Sequence, residues 1–346
     1  MRSEVPGADP GVVGPYLAGA LGDPGWADCT VEVVAGGRSN LTYVVTSPAG
    51  EVVLRRPPLR AVRPTAHDMA REHRIIGALA DSAVPVPRAL ALCTDASVNG
   101  TPFYAMSFVD GLVVRADLTG LDDSARHQLA ATMMAVLADL HEVDVEAAGL
   151  ADFGRPEGFM GRQLTRWSKQ LDASRSRELP GIDRLRDDLA ANLPPSQGSG
   201  IVHGDYRLDN LVVAPPGAAD ALAVRAVLDW EMATLGDPLA DLGLLLAYWD
   251  VMSELDSSVV VNVGASQGFP SSATLTAWYR ARRDVDLGPL PWYKAFGLFK
   301  LAVILEGIHY RYQLGQTVGD DFAQIGSAVP ALVTAGRDTL AAAHLS

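Results

Sequence analysis

The apolar positions of the first hundred residues fall into short runs rich in β-branched side chains, as in β-strands. The runs are CTVEVVAGG (29–37), NLTYVVTS (40–47), EVVLRR (51–56), RALALCTD (88–95) and TPFYAMSFVDG (101–111). Gly-Gly and the turn sequence SPAG separate the first three runs. Residues 67–80 instead place apolar side chains at helical spacing. This part is therefore predicted to form an antiparallel sheet with one long helix.

From Asp122 onward the spacing becomes mainly helical, beginning with an apolar stripe along residues 129–140. Further helices are predicted at 159–176, 181–193, 238–249, 272–283, 291–314 and 321–343. Strand-like pieces occur near 211–213 and 224–229. We therefore expect an α+β chain in two lobes, with the boundary near Asp110–Gly111. Residues 1–110 would form the sheet lobe, with a helical extension at its N-terminus, and residues 111–346 the larger helical lobe.

The bulk composition narrows the class of protein. A chain of 346 residues with 48% hydrophobic and 20% charged residues is an ordinary globular protein, longer than a single core usually supports. Its net charge of −13 argues against a nucleic-acid partner, and two cysteines suit a reducing compartment. No signal-like segment opens the chain, and two lysines and a glutamate interrupt the apolar stretch 292–308. A cytoplasmic protein with no membrane partner is expected.

One stretch carries most of the candidate chemistry. IVHGDYRLDNLVV places His203, Asp205 and Asn210 in an H-x-D-x-x-x-x-N pattern between two apolar runs, and AVRAVLDW places Asp229 after the next strand. Phosphoryl transfer from ATP requires an acceptor for a hydroxyl proton and oxygen ligands for Mg²⁺. Asp205 is the predicted catalytic residue, and Asn210 and Asp229 are the predicted magnesium ligands. His203 is expected to brace the loop. Turn formation alone would favour Asp and Asn, but not this spacing.

The sheet region supplies candidate nucleotide contacts. In AGGRSNLTY, Gly36, Gly37, Ser39 and Asn40 could approach phosphates through backbone and side-chain donors. A simple hairpin turn explains the two glycines equally well.

A cation and its partner follow in the chain. Arg55 ends a strand where a cation could reach the α- and β-phosphates, and Glu72 on the next helix is its predicted ion-pair partner. A solvated basic surface is the alternative, because six arginines fall between 55 and 74. Adenine would be held by backbone groups of Met106, Ser107, Phe108 and Val109, although an ordinary edge strand also fits that segment.

With these residues assembled, the chain resembles the aminoglycoside phosphotransferase and choline kinase superfamily, relatives of protein kinases, over residues 28 to 315. The most specific strings are HGDYRLDN and LDWEMATLGDP. The resemblance implies a bilobal protein-kinase-like fold with Asp205 as base, Asn210 and Asp229 on Mg²⁺, and the 36–40 turn over the phosphates. A finer resemblance is to the subgroup in which this kinase-like domain is fused to acyl-CoA dehydrogenases in some animals. Its members share strings that resemble GGRSN, VLRRPP, VPVPR and GTPFYAM.

Three departures from protein kinases narrow the expected activity. Gly204 replaces the arginine that binds a phosphorylated activation loop, and DWE replaces DFG at 229–231. Arg55 stands where most kinases use lysine, and the glycine loop is shorter than G-x-G-x-x-G.

Two functions from different classes remain after these departures. The first is an ATP- and Mg²⁺-dependent transferase that phosphorylates a hydroxyl of a small molecule. Its acceptor would be aminoglycoside-like or a hydroxyacyl-CoA. The second is a catalytically silent pseudokinase that binds nucleotide and acts as an interaction module.

Overall fold

The computed structural model describes residues 6–34, 40–59, 68–115, 121–254, 263–316 and 324–343. The chain divides into two units, one of residues 1–111 with 225–233 and the other of residues 112–224 with 234–346. The segment 225–233, which includes Asp229, thus belongs to the first unit, whereas the boundary drawn from the sequence leaves it in the helical part.

A five-stranded antiparallel sheet forms the first unit. Its strands are β1 (Thr30–Val33), β2 (Leu41–Ser47), β3 (Gly50–Arg56), β4 (Ala89–Cys93) and β5 (Phe103–Ser107). They lie in the order β1-β2-β3-β5-β4. The register places Arg55 opposite Thr42 on one side and Tyr104 on the other. The predicted sheet is confirmed.

The helices of this unit cover and flank the sheet. They are α1 (Pro10–Leu21), α2 (Met69–Ala78) and the short α3 (Ala96–Asn99). Leu17 of α1 is buried with sheet residues Tyr43, Leu54 and Phe103 in one hydrophobic core. Helix α2 begins after Asp68, whose carboxylate accepts a hydrogen bond from the Arg71 N–H and satisfies a donor that the helix leaves open. This capping fixes the first turn of α2, which carries Glu72.

The second unit is mainly helical. Its helices are α4 (Asp123–His141), α5 (Phe159–Ser174), α6 (Ile182–Ala191), α7 (Leu239–Asp250), α8 (Ser272–Arg282), α9 (Leu290–Gln313) and α10 (Val329–Ala343). These agree with the predicted segments except near the C-terminus, where α10 begins at Val329 and the described residues before it form a short 3₁₀ helix, Ile325–Ala328. Pro330 lies in its first turn, where a missing N–H breaks no helical hydrogen bond.

Short strands hold the loops that carry the motif residues. Strand β6 (Gly200–Val202) pairs antiparallel with β9 (Thr234–Gly236). Strand β7 (Leu211–Val213) follows the loop from β6, and β8 (Val224–Val227) precedes Asp229. The strand predicted at 224–229 ends earlier because Asp229 has left-handed backbone angles.

Helix α9 packs closely on α7. A Cβ added at Gly243 of α7 would lie 2.4 Å from the backbone carbon of Tyr293 on α9, so only glycine permits this approach. The apolar surface of α9 is buried between α7, α10 and α5. None of the described helices combines the length and apolar character that a bilayer span requires.

Candidate active site

The loop between β6 and β7 holds Asp205 on a constrained backbone. Gly204 has φ +87°, a left-handed angle that side-chain-bearing residues rarely adopt. The buried ring of His203 accepts a hydrogen bond at Nδ1 from the Asp205 N–H at 3.3 Å. The loop-bracing role predicted for His203 is therefore present in the structure.

A buried carboxylate on α7 also holds this loop, by accepting hydrogen bonds from its backbone. Asp241 accepts hydrogen bonds from the N–H groups of His203 at 2.6 Å and Gly204 at 2.8 Å. Its Oδ2 also lies 3.3 Å from Nε2 of His141, whose Nδ1 lies 2.7 Å from the Tyr279 hydroxyl. Burial opposes ionisation of Asp241, but the contacts with His141 and the backbone donors hold its pKa below the ordinary value. Asp241 therefore acts as the anion that orders the loop.

The Asp205 carboxylate has two different oxygens. Oδ2 accepts a hydrogen bond from Nδ2 of Asn210 at 3.1 Å and lies 3.5 Å from Nε of Arg207. The Tyr248 hydroxyl also hydrogen-bonds to this carboxylate, and about a quarter of the side chain is exposed. The carboxylate is thus held at Oδ2 and keeps exposed surface at which it can accept a proton from a bound group.

Arg207 connects this carboxylate to a pocket in the second unit. Its Nη2 lies 2.8 Å from Asp209, and its guanidinium lies 4.9 Å from the centre of the Tyr248 ring. Burial raises the pKa of Asp209 to about 6, although the charge of Arg207 opposes this shift. The pocket is small, with a cavity volume of about 10 Å³. It is lined by Val114, Arg207, Leu208, Asp209, Leu245, Tyr248, Trp249 and Val263.

The first unit contains a second charged cluster, centred on Arg55 of β3. Its Nε lies 3.5 Å from Oε2 of Glu72 on α2, and its Nη2 donates to Oδ1 of Asp229 at 2.8 Å. The predicted Arg55–Glu72 ion pair is thus present, and Asp229 joins it. Burial opposes the charge on Arg55, but the neighbouring acidic groups raise its pKa further above the ordinary value. Burial also raises the pKa of Glu72, against the attraction of Arg55.

Asn40 has a different place from the one predicted. Its Nδ2 donates to Oε1 of Glu72 at 2.8 Å and to Oε2 of Glu231 at 2.9 Å, so both amide hydrogens are already used. The amide was expected to donate to phosphates. In the structure its hydrogen bonds instead link the residue before β2 to α2 and to the segment after Asp229. Tyr104 completes the cluster by donating its hydroxyl to Glu72 at 3.0 Å.

Asp229 is the residue with the most unusual backbone in this cluster. Its φ of +67° and ψ of 59° are left-handed, which is uncommon for a residue other than glycine. Strained angles of this kind persist where the surroundings impose them, and they are frequent at functional sites. The side chain keeps 31% of its surface exposed while Oδ1 pairs with Arg55.

Two groups retain capacity for a nucleotide and a metal ion. Among the described residues, Nη1 of Arg55 and Oδ1 of Asn210 have no hydrogen-bond partner. A guanidinium N–H suits a phosphate oxygen, and an amide oxygen suits Mg²⁺. These two side-chain atoms therefore fit a nucleotide phosphate and a magnesium ion, respectively.

The remaining predicted residues are placed as follows. Met106 is buried in β5, and Ser107 ends that strand with its hydroxyl accepting from the Arg88 N–H at 2.9 Å. Phe108 is exposed and Val109 is partly buried after the strand. Gly36, Gly37 and Ser39 lie outside the described residues.

Sequence reasoning missed several residues that shape both clusters. They are Tyr104 and Glu231 in the first unit, and Arg207, Tyr248 and Lys300 in the second. One signal was available: Lys300 lies within the mainly apolar stretch 292–308, and a charged residue there is seldom buried without a partner.

The family assignment rests on the matched length of chain. A model of the family described as "Phosphotransferase enzyme family" matches residues 30–282. The chain belongs to this phosphotransferase family. It is 36% identical over 335 residues to acyl-CoA dehydrogenase family member 10 of Mus musculus, a match that covers 93% of this chain and 30% of that protein. The chain thus spans about a third of that relative.

Solved structures agree with this family. A candidate aminoglycoside phosphotransferase of Ralstonia eutropha JMP134 superposes with a TM-score of 0.81 at 32% identity, covering 96% of this chain and 98% of that one. A streptomycin–ATP–APH(2")-IIa ternary complex has a TM-score of 0.57 at 13% identity, covering 93% and 98%. The second likeness concerns the fold alone. The chain therefore has the α+β protein-kinase-like fold predicted from its sequence.

Proposed function

We propose that this phosphotransferase transfers the γ-phosphoryl group of ATP to a hydroxyl of a small molecule, with Mg²⁺ as cofactor. The observation that carries the proposal is the state of Asp205. Its backbone is held by His203 and Asp241, its Oδ2 is held by Asn210, and about a quarter of its side chain stays exposed. A carboxylate held in this way is suited to orient a hydroxyl and to accept its proton.

Asp205 would accept the proton of the acceptor hydroxyl at Oδ1. The transition state of phosphoryl transfer is largely dissociative, so orientation of the hydroxyl matters more than strong basicity. Arg207 and Asn210 would keep the carboxylate in one rotamer during transfer, since both approach Oδ2.

Asn210 and Asp229 are the proposed magnesium ligands. The ion, when bound, neutralises negative charge on the transferred group. The described residues contain no group of three or more His, Cys, Asp or Glu side chains placed to hold a metal. We therefore expect phosphate oxygens and water to complete the coordination and free Mg²⁺ to bind weakly.

Nucleotide contacts are proposed for Arg55, for the backbone of the 36–39 turn and for the 106–109 connector. Glu72 would orient Arg55, as the 3.5 Å ion pair indicates. A relative of the same fold was solved with ATP and streptomycin, which supports nucleotide use. Asn40 is assigned to the polar tie with Glu72 and Glu231 instead of the phosphates.

For the acceptor we favour a hydroxyacyl-CoA over an aminoglycoside-like compound. Two cations, Arg207 and Lys300, lie close to the loop that carries Asp205. They balance the charges of Asp205 and Asp209, so the loop presents no net negative charge that would attract a polycationic substrate. The relationship to a protein named as an acyl-CoA dehydrogenase family member points the same way.

Purified protein, ATP and Mg²⁺ should be incubated with representatives of each acceptor class while ADP release and new phosphate esters are measured. We expect ester formation with a hydroxyacyl-CoA, loss of turnover with EDTA, and loss in Asp205→Asn. Turnover of aminoglycosides alone would replace the preferred acceptor. An Asp205→Asn enzyme as fast as wild type would refute the proposed role of Asp205.

One observation favours a second candidate, a pseudokinase. The guanidinium of Arg55 is already paired with Asp229, which is itself a proposed magnesium ligand. If this pair persisted with nucleotide bound, ATP would bind without Mg²⁺-dependent turnover. Calorimetry with and without Mg²⁺ separates the two functions, since the enzyme should bind ATP more tightly with the ion and the pseudokinase equally well in either condition.

A further inference from the structure

Lys300 is a buried cation to which the proposed mechanism gives no role. It lies on α9 among apolar side chains, and only 8% of its surface is exposed. Its ammonium donates to the Gly204 carbonyl at 2.9 Å and lies 5.5 Å from the centre of the Trp167 ring. Within the described ranges no carboxylate pairs with it. An ammonium buried without a carboxylate is unfavourable for folding, so its presence here calls for a compensating role.

The carbonyl that Lys300 holds belongs to the peptide leading into Asp205. The N–H of that same peptide donates to Nδ1 of His203 at 3.3 Å. On the other side, the Gly204 N–H donates to Asp241 at 2.8 Å. Lys300 therefore supplies the carbonyl contact that, with His203, holds both polar groups of this peptide. Without Lys300, the peptide could rotate about the glycine, whose backbone is the most permissive in the loop.

Charge adds to this contact. Burial lowers the pKa of Lys300, while attraction to Asp205 and Asp241 opposes the shift. The attraction is mutual, so it acts on the Asp205 carboxylate as well as on the ammonium. The hydrogen bond to the Gly204 carbonyl and the electrostatic attraction therefore both act on Asp205.

We propose that Lys300 is a positioning residue for Asp205, acting through the Gly204 carbonyl. The proposal rests on the proposed function, because it assumes that Asp205 accepts the hydroxyl proton. Lys300 itself does not touch the substrate. Its contribution is to keep the Asp205 carboxylate at the angle that transfer requires, and small displacements of a catalytic group reduce the rate strongly.

The test compares Lys300→Met with Lys294→Met. Both lysines lie on α9, but Lys294 pairs with Asp250 and does not contact the loop. We expect Lys300→Met to lower Mg²⁺-dependent turnover about 10- to 100-fold, with the KM for ATP changed less than about twofold. Lys294→Met should stay within about twofold of wild type. Replacing a buried charge by an apolar side chain often leaves stability unchanged or higher, so rate and stability should separate.

A double-mutant cycle tests whether Lys300 acts through Asp205. In an Asp205→Asn background, Lys300→Met should cost less than about twofold of the residual turnover, because the group it positions is already gone. If the double variant lost turnover by the product of the two single-variant losses, that result would overturn the proposal. So would a loss in Lys300→Met that follows a lowered free energy of unfolding.

Hydrogen exchange gives a readout that needs no turnover. Amides of residues 203–206 should exchange faster in Lys300→Met and at the wild-type rate in Lys294→Met. Unchanged exchange in Lys300→Met would overturn the proposal. A wild-type protein without turnover on any acceptor would remove the proposed function and this role with it. An active wild type with an equally active Lys300→Met would remove the role of Lys300 alone.

Discussion

Two aspartates, Asp205 in the second unit and Asp229 in the first, are held in opposite ways. The backbone around Asp205 is held by Asp241, His203 and Lys300, while the carboxylate stays partly exposed. Asp229 has a left-handed backbone of its own, and the contact that holds it is the side-chain pair with Arg55. The contacts at Asp205 fix the orientation of its backbone and leave part of its carboxylate accessible to a ligand. The contact at Asp229 instead uses a carboxylate oxygen directly.

The difference indicates what each cluster must do when ligands bind. Asp205 can keep its contacts at Oδ2 when a hydroxyl approaches, and that hydroxyl competes with the hydroxyl of Tyr248. Asp229 must share its carboxylate between Arg55 and a metal ion, so its affinity for Mg²⁺ depends on the geometry of Arg55. Changes in the two clusters should therefore differ, with the first affecting rate at all magnesium concentrations and the second affecting magnesium dependence.

The largest effect within the first unit is expected for Asp229→Asn. Asparagine tolerates the left-handed backbone but removes the charge, so turnover should fall about 10²- to 10³-fold and require more Mg²⁺. A magnesium titration of turnover measures this, with the exposed Asp110→Asn as control. Unchanged magnesium dependence would remove Asp229 from the metal site.

Asp241→Asn should have the next largest effect, on stability. It leaves two loop N–H groups and His141 around a weaker acceptor, so the free energy of unfolding should fall by about 3 kcal/mol. Urea unfolding measures this, with Asp123→Asn as an exposed control.

The pH dependence of Asp241→Asn sharpens the same prediction. The folded pKa of Asp241 lies below the ordinary 3.8. Its contribution to stability is therefore complete above that value and is lost as pH falls through the lower folded pKa. Wild type should lose stability more steeply than Asp241→Asn in that acid range, and parallel curves would contradict the assignment.

Arg55→Lys tests the sharing of Asp229 with a smaller change. Lysine keeps the charge but cannot bridge Glu72 and Asp229 with a planar fork. We expect a loss of about 1 to 2 kcal/mol in stability, together with a lower magnesium requirement because Asp229 is less occupied. Arg55→Met, which leaves the buried Glu72 without its cationic partner, should be less stable than Arg55→Lys. A higher magnesium requirement in Arg55→Lys would contradict competition between Arg55 and the ion.

The smallest effect is expected for Glu231→Gln. Glutamine can still accept from Asn40, so stability should change by about 0.5 kcal/mol or less. Asn40→Ala removes the contacts to both Glu72 and Glu231 and should lower stability by about 1 to 2 kcal/mol. Equal losses in the two variants would show that charge, and not the tie made by Asn40, dominates this cluster.

The elements of the fold follow from local patterns in the sequence. The strand runs and the α2 and α4 periodicities predict segments within a few residues of those observed, because apolar spacing and capping residues act locally. Strand β9 was missed, and β6 was marked only as a strand-like apolar stretch before His203. Each has three residues, too few for a periodic signal, and their pairing joins positions more than thirty residues apart.

The motif residues were found because spacing alone marks them, but their partners were not. Asn40 and Glu231 are 191 positions apart, and Lys300 and Gly204 are 96 apart. No local pattern connects such positions. The sequence therefore predicted a phosphate-binding amide at Asn40, where tertiary structure places two carboxylates that use its donors.

The most direct test of the account is the phosphate ester formed from ATP and a hydroxyl acceptor by wild type and Asp205→Asn, followed by phosphorus NMR. Calorimetry should show equal ATP affinity in both proteins. We expect wild type to form the ester and Asp205→Asn to form it at least about 10²-fold more slowly. Ester formation at the same rate in both proteins would contradict the central claim.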